Sequence, residues 1–543
     1  FLLVKWAVFS IGCSILALTF VFERRFPREG IRAFAPLWIA LVWGVSVHVV
    51  GAQAGVVHFA IEAFVAGLLY LVFAASAFAT IGDGRRAERV CDAIKLSAAI
   101  VSGLGLVQLG GLAEPLFPRV EGFNQPMYGV LGNQGLFGGF VAIGVPLSMH
   151  GILSLRRVRP LDVACLALIV PAWVLAGSRS AWLAGTIATV IAMPYAAVNW
   201  RRAAALGGFA AAAGFALCIA FPEYTTDRVG KTFTSEDIGG RSRAWYWAAA
   251  GRMIGDHWVL GVGPGNYQFA SPEYQGDVLQ VAGGESYLFS NLQTMNAHSD
   301  PIEVFAEYGV VGIACLFWMA WVLVKRCDRP EWGGLCAVAI FAAMYPTFGS
   351  PPHVMAGLVL AAALLARPSG VAVQSISSKK DTALDAALLA AATVGATVFV
   401  IWALVWPDYL IQQARLENAT EQPALESYKR AAEYPWPKPY AREEYGVQLF
   451  ALQRFNEAFH QFALASYGMD TGDIHQWLGA AYEELGDSET AYMHWKGCVW
   501  RWPYNEYAWE RLLALSPQKD LPNNRRAAAR WFGEAATSGL LGR

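Results

Sequence analysis

Apolar residues run in stretches of about 17 to 24 along the first 406 positions, each long enough to cross roughly 30 Å of hydrocarbon as a helix. Twelve such stretches, near 2–21, 34–50, 57–81, 96–112, 134–154, 161–177, 181–197, 203–220, 302–324, 331–346, 353–366 and 384–406, predict an all-α polytopic membrane region. Beyond Trp406 the pattern changes. No spanning run occurs, Glu, Arg, Gln and Tyr become frequent, and residues 407–543 are expected to form a separate water-soluble domain.

Within 407–543 one pattern repeats four times, Ala followed four positions later by an aromatic residue and three further on by a small one. The copies are Ala424/Tyr428/Ala431, Ala458/Phe462/Ala465, Ala491/Trp495/Cys498 and Ala528/Phe532/Ala535. With Trp477, Leu478, Gly479, Tyr482, Gly486 and Pro503, the third copy resembles the tetratricopeptide pattern of paired helices about 34 residues long. Small residues let two helices approach and the aromatics fill the gap. Such arrays commonly present a concave surface to a protein partner, and a plain helical cap on the membrane region is the other reading.

Basic residues punctuate alternate connections: Arg24, Arg25, Arg28, Arg32; Arg85, Arg86, Arg89, Lys95; Arg156, Arg157, Arg159; Arg201, Arg202; Lys325, Arg326, Arg329; Arg367, Lys379, Lys380. The opposite short connections hold Arg119 and Arg179. This bias of 19 to 2 assigns the first set to the cytoplasm and puts the long 221–301 loop and the region after Trp406 outside it, in the periplasm of a bacterial cell. The first span then starts outside, so a further helix ahead of Phe1 is expected.

The composition agrees with a membrane protein: of 543 residues, 55% are hydrophobic and 15% charged. A net charge of −1 offers no basic footprint for nucleic acid. The eight cysteines are scattered through apolar segments, apart from Cys498, and the nine histidines never fall at metal-ligand spacing, so neither a disulfide framework nor a metal is expected.

Polar signals concentrate in the long loop. Gly240-Arg241-Ser242-Arg243-Ala244-Trp245 is followed by Gly261-Val262-Gly263-Pro264-Gly265-Asn266 and then His298-Ser299-Asp300. The glycine-rich stretch reads as a tight turn or a phosphate cradle. Arg179 occupies a short external turn on the face that otherwise avoids basic residues. Asp300, Glu303 and Glu307 suit either the dipole at a helix start or the orientation of the neighbouring imidazole. Tyr267, Tyr274 and Tyr287 suit a sugar surface or an interfacial aromatic belt.

Residues 241–313 resemble the signature region of the O-antigen ligase, O-antigen polymerase and protein O-oligosaccharyltransferase superfamily. The stretches that carry the resemblance are Gly-Arg-Ser-Arg-Ala-Trp, Ile254-Gly255-Asp256-His257-Trp258, Gly-Val-Gly-Pro-Gly-Asn-Tyr, and His298 through Gly312. Gly132-Asn133-Gln134 and Gly177-Ser178-Arg179-Ser180-Ala181 look like two further family stretches. The family commonly has His-Asn where this chain has His298-Ser299.

The resemblance implies transfer of a glycan from an undecaprenyl-pyrophosphate carrier to an acceptor hydroxyl on lipid A core or protein, at the periplasmic face, with no cofactor. His298 is the expected base, since its unperturbed pKa suits proton transfer near neutrality. Forked guanidinium groups suit pyrophosphate oxygens, a task expected of Arg179 and Arg241. Arg243, Asn266, Asp300 and Glu307 complete the expected substrate-binding set. The alternatives are a polymerase, which takes another lipid-linked glycan as acceptor, a transporter, and a non-enzymatic assembly protein. A transporter calls for ionisable residues at mid-membrane, where the spans offer Glu62 and, near the start, Lys5.

Overall fold

A computed structural model of the chain is all-helical, with no strand among the described residues. Those are residues 2–533 apart from 24–26, 52–56, 112–126, 155–156, 194–198, 223–224, 232–236, 282, 288–293, 367–378, 418–421 and 437. Arg24, Arg25, Arg119, Arg156, Arg367 and Ala535 lie outside them.

The chain opens with α1 (Leu2–Phe22), α2 (Arg28–Ala33), α3 (Ala35–Gly51), α4 (Val57–Ile81), α5 (Gly84–Leu109), α6 (Gln134–Leu153), α7 (Pro160–Leu175), α8 (Arg179–Ala192) and α9 (Trp200–Ala220). The long connection holds α10 (Thr226–Lys231), α11 (Ile238–His257) and α12 (Tyr267–Gln280). Then come α13 (Asp300–Val324), α14 (Glu331–Ala342), α15 (Pro351–Ala366) and α16 (Lys379–Val400). The described parts of the twelve apolar stretches each overlap one of these helices. Among the described residues, six runs are long and apolar enough to cross a membrane by length and composition: Lys5–Phe22, Val57–Ile81, Gly84–Leu109, Gln134–Leu153, Asp300–Val324 and Ala383–Leu416. Ala35–Val47, Pro160–Leu175, Glu331–Ala342 and Pro351–Ala366 are apolar but shorter.

Side-chain caps start several of these helices. Asp83, Asn133, Ser178 and Asn199 each accept a backbone N–H of the following turn, which satisfies one of the donors a helix leaves open at its start. Inside the bundle small residues permit close approach, as at Gly139, where a Cβ would lie 2.2 Å from the Phe341 ring. Large apolar side chains face outward, Phe317 at 70% exposure, so a solvent as apolar as the core is needed around them.

Polar contacts sort the two ends of the bundle. Arg28 pairs with Asp385 at 2.7 Å, Arg326 donates to the Leu364 and Leu365 carbonyls, and Arg159 bridges Glu88 and Asp162 at 3.2 Å each. Lys95 is shared between Asp92 and Asp162. Arg28, Lys95, Arg159 and Arg326, from four of the alternating connections, thus lie at one end.

At the other end α13 is interrupted at Gly309, whose φ of +62° and ψ of −157° are not helical. The interruption frees the Ala306 and Glu307 carbonyls, which accept Val262 N at 2.9 Å and Gly263 N at 3.0 Å, while Val310 N donates to Trp258 O at 2.9 Å. A Cβ on Gly309 would lie 2.2 Å from the Val259 carbonyl oxygen, and one on Gly261 would lie 2.2 Å from the Glu307 oxygen. Gly309→Ala is therefore expected to cost at least about 1–3 kcal/mol, seen as a lower melting temperature in detergent. An unchanged melting temperature would contradict the interlock.

The remaining helices are α17 (Trp406–Leu416), α18 (Gln422–Ala432), α19 (Pro439–Ala451), α20 (Phe455–Ser466), α21 (Gly472–Glu484), α22 (Ser488–Arg501), α23 (Glu506–Leu515) and α24 (Leu521–Phe532). Each packs on its neighbour in the chain. The repeated positions explain why: Ala424, Ala431, Ala458, Ala465, Ala491, Cys498 and Ala528 are fully buried, and Phe462 and Trp495 fill the space between helices. Gly479 is required opposite Trp495, since a Cβ there would lie 2.8 Å from the indole. This stack docks on the bundle through Glu62, which accepts from Lys438 Nζ at 2.6 Å and Trp436 Nε1 at 2.8 Å.

Candidate functional site

Five short segments, distant in sequence, meet at the end of the bundle opposite the ionic cluster. Asn133 caps α6, its Oδ1 accepting from Gly135 N at 2.7 Å and Leu136 N at 3.1 Å, and the same oxygen accepts the Tyr345 hydroxyl at 2.7 Å. Gln134 donates to the Ala176 carbonyl and ties this start to the end of α7. Three residues further on, Arg179 opens α8.

Arg179 pairs with Asp237, which is also the N-cap of α11 and accepts Gly240 N at 3.2 Å. Burial pushes the Asp237 pKa upward, but the hydrogen bonds from Arg179 and Gly240 and the nearby Arg243 charge hold it below the usual carboxylate value. Arg243 sits one turn into α11 and is mostly buried. Its Nε donates to Met344 O at 3.2 Å and its Nη2 lies 3.4 Å from Ser180 Oγ. Arg179 and Arg243 flank the same spot: a Cβ on Gly239 would be 3.2 Å from one guanidinium and 3.8 Å from the other.

His298 lies near Arg243, whose charge acts on its ring. Its ring stacks on Tyr246 with centroids 5.3 Å apart and an interplanar angle of 21°, and meets the edge of Tyr345 at 5.9 Å. Its backbone takes φ +50°, a left-handed conformation uncommon outside glycine, with its N–H on Asn296 Oδ1 at 3.2 Å. Burial lowers its pKa and the Arg243 charge lowers it further, to about 4. At neutral pH the imidazole is uncharged and free to accept a proton.

The other expected residues are placed differently. Arg241, two positions from Arg243, faces the opposite way and donates from Nε to Ser286 O at 3.0 Å. Asn266 begins α12, its Nδ2 donating to Val262 O at 3.0 Å, and Glu307 accepts Tyr267 N at 3.1 Å. Both brace the Gly261–Asn266 turn. The backbone donors of Val262 and Gly263 are taken by α13, so those two amides do not cradle a phosphate. Asp300 accepts Thr347 N at 2.9 Å and the Thr347 hydroxyl, and Glu303 accepts Ala297 N at 2.9 Å. These carboxylates hold backbone around His298; among the described residues none bonds the imidazole.

Sequence reasoning passed over Asp237, Tyr246 and Tyr345. Asp237 carried a local signal, an acidic residue three positions before Gly240 at a helix start. Tyr345 carried none, because its partners Asn133 and His298 lie 212 and 47 positions away.

The O-Antigen ligase family model matches residues 163–317. That span contains Arg179, Asp237, Arg243, Tyr246 and His298, and stops short of Asn133 and Tyr345. No curated protein matches the chain. Among solved structures, the crystal structure of the APC/C hetero-tetramer Cut9-Hcn1 aligns at 12% identity over 88% of this chain and 76% of that one, with a TM-score of 0.22. A score that low carries no argument about the fold. By the family match and the residues it spans, the chain carries a domain of the O-antigen ligase family across residues 163–317.

Proposed function

We propose that this protein transfers a glycan from an undecaprenyl-pyrophosphate carrier to an acceptor hydroxyl on lipid A core or protein. In this reading it is a bacterial inner-membrane protein of about twelve spans, with the 221–301 loop and the helices after Trp406 on the periplasmic side. The family supports an enzyme of glycosyltransferase type. The observation that carries the finer reading is the convergence of Arg179, Arg243 and His298 at the end of the bundle away from Arg28, Arg159 and Arg326.

The reaction needs few parts. The acceptor oxygen attacks the anomeric carbon, the bond from that carbon to the phosphate oxygen breaks, and the polyprenyl pyrophosphate leaves with the electron pair. Arg179 and Arg243 donate to its oxygens, where negative charge grows. His298 takes the hydroxyl proton. Anionic pyrophosphate beside Arg243 offsets the charge that disfavours imidazolium, so the base strengthens once the donor is bound. A single displacement inverts the anomeric configuration. Transport loses support, because Glu62 is engaged by Lys438 and Trp436, and Lys5 donates to Leu131 O at 2.6 Å.

The test is reconstitution in liposomes with a lipid-linked glycan and three acceptor classes: lipid A core, protein, and a second lipid-linked glycan. Transfer to one of the first two is expected, transfer only to the third makes the protein a polymerase, and a glycan left on its carrier in every arm ends the proposal. The pH profile is a second check. With His298 neutral above about pH 4, kcat/KM is expected to stay level from pH 8 to about 5 and to fall by half near 4. Removing the opposing charge with Arg243→Gln should move that midpoint upward, and a wild-type midpoint near 6.5 would contradict the described surroundings of the imidazole.

A further inference from the structure

The helices after Trp406 do more than dock on the bundle. Arg530 on α24 extends its guanidinium to the end of α12, donating to Leu279 O at 3.2 Å, Gln280 O at 2.5 Å and the Val281 carbonyl, and pairs with Glu285. The last carbonyls of a helix lack intrahelical donors and carry partial negative charge, so one forked cation closes that end chemically and electrostatically. A second grip lies one turn earlier. Trp500 Nε1 donates to Asp277 at 3.1 Å, Gln280 Nε2 donates to Trp500 O at 3.1 Å, and a Cβ on Gly276 would be 2.8 Å from the indole.

The opposite side of α12 carries the turn that ends in His298. Gln275 donates from Nε2 to Thr294 O at 2.9 Å and accepts Thr294 N at 3.1 Å, and Ser271 donates to the same carbonyl at 3.1 Å. Thr294 Oγ1 donates to Asn296 O at 2.9 Å, and Asn296 Oδ1 accepts His298 N at 3.2 Å. Trp245 Nε1 donates to Gln275 O at 2.9 Å, next to Tyr246, the ring stacked on His298. Thus α12 is a rod held at one side by the C-terminal helices and gripping the histidine turn at the other.

We propose that Arg530 is a positioning residue for His298: the C-terminal helical stack sets the imidazole through α12, an inference that rests on His298 being the base. Arg530→Ala leaves three carbonyls and Glu285 without their cation and lets α12 shift. Misplacing a reacting group by a fraction of an ångström lowers the rate of the chemical step more than it weakens substrate binding.

The full-length protein in liposomes provides the test. For Arg530→Ala, kcat is expected to drop about tenfold with donor KM within about twofold of wild type. Modification of His298 by diethyl pyrocarbonate, read site by site by mass spectrometry, should speed up several-fold, whereas the fully buried His353 should not change. Arg530→Lys, which keeps the charge and loses the fork, should fall between. Arg526→Ala, on the same helix and bonded to Pro522 and Asn523 within it, should match wild type. Unchanged kcat and unchanged His298 labelling overturn the proposal, as does a parallel rise at His353, which indicates general loosening. Should Arg530→Ala fail to fold, Trp500→Phe removes the N–H to Asp277 and keeps an aromatic side chain there, and the same comparison decides. If wild type transfers no glycan, the functional reading fails, and the labelling alone still decides whether the C-terminal helices position His298.

Discussion

His298→Ala is expected to slow glycan transfer by roughly 10²–10⁴-fold with little change in donor KM, the usual cost of losing a general base. The imidazole is placed by stacking on Tyr246, by the edge of Tyr345 and by its own backbone N–H on Asn296. Removing it leaves a ring-shaped gap between two tyrosines, so added imidazole should restore part of the rate. His298→Phe keeps the stacking without a nitrogen and should be as slow as alanine. The backbone supplies an independent check, because φ +50° strains any residue with a Cβ. His298→Gly should therefore melt higher than His298→Ala by the equivalent of about 1 kcal/mol, since both lose the ring and only glycine relieves the backbone, while both remain inactive. Wild-type turnover in His298→Ala would remove the base and leave the family assignment untouched.

The second large effect concerns the arginine pair. Arg179→Lys and Arg243→Lys each keep a positive charge but lose the planar fork, and each is expected to lower kcat by roughly 10²-fold, on the scale of deleting one preorganised donor. The double substitution should cost less than the product of the two, because both guanidinium groups clasp the same leaving group. Arg241→Lys supplies the contrast. Its guanidinium is engaged by the Ser286 carbonyl, so its kcat should stay within about threefold of wild type. A larger loss at Arg241 than at Arg179 and Arg243 would reverse the assignment.

Much of the architecture was legible because it depends on local rules. Apolar runs bounded by basic clusters marked where helices lie and which connections share an end, and pairs such as Arg28–Asp385 and Arg326 with Leu364 join connections that the charge pattern had already grouped. The Ala-aromatic-small repeat marked which faces pack, since one turn of helix brings those positions together. The count of runs was less secure as a count of crossings. Among the described residues, six of them, α3, α7, α8, α9, α14 and α15, fall outside the runs that qualify by length and hydropathy.

The chain by itself determined that the protein is helical and membrane-like in its first 406 residues, repetitive after that, and furnished with arginines and a histidine in the long loop. Tertiary structure decided which of them meet. Arg241 and Arg243 differ by two positions, about 200° around a helix, so one faces Ser286 and the other His298. No local pattern fixes the rotation of α11, which is set by Asp237 at its cap, Trp245 against α12 and Met344 from a distant loop. The same reason hid Tyr345, and it gave Asn266, Asp300 and Glu307 backbone partners that no local pattern names. Periodicity reports which side of a helix is buried, whereas a reacting group needs partners that only folding brings within reach.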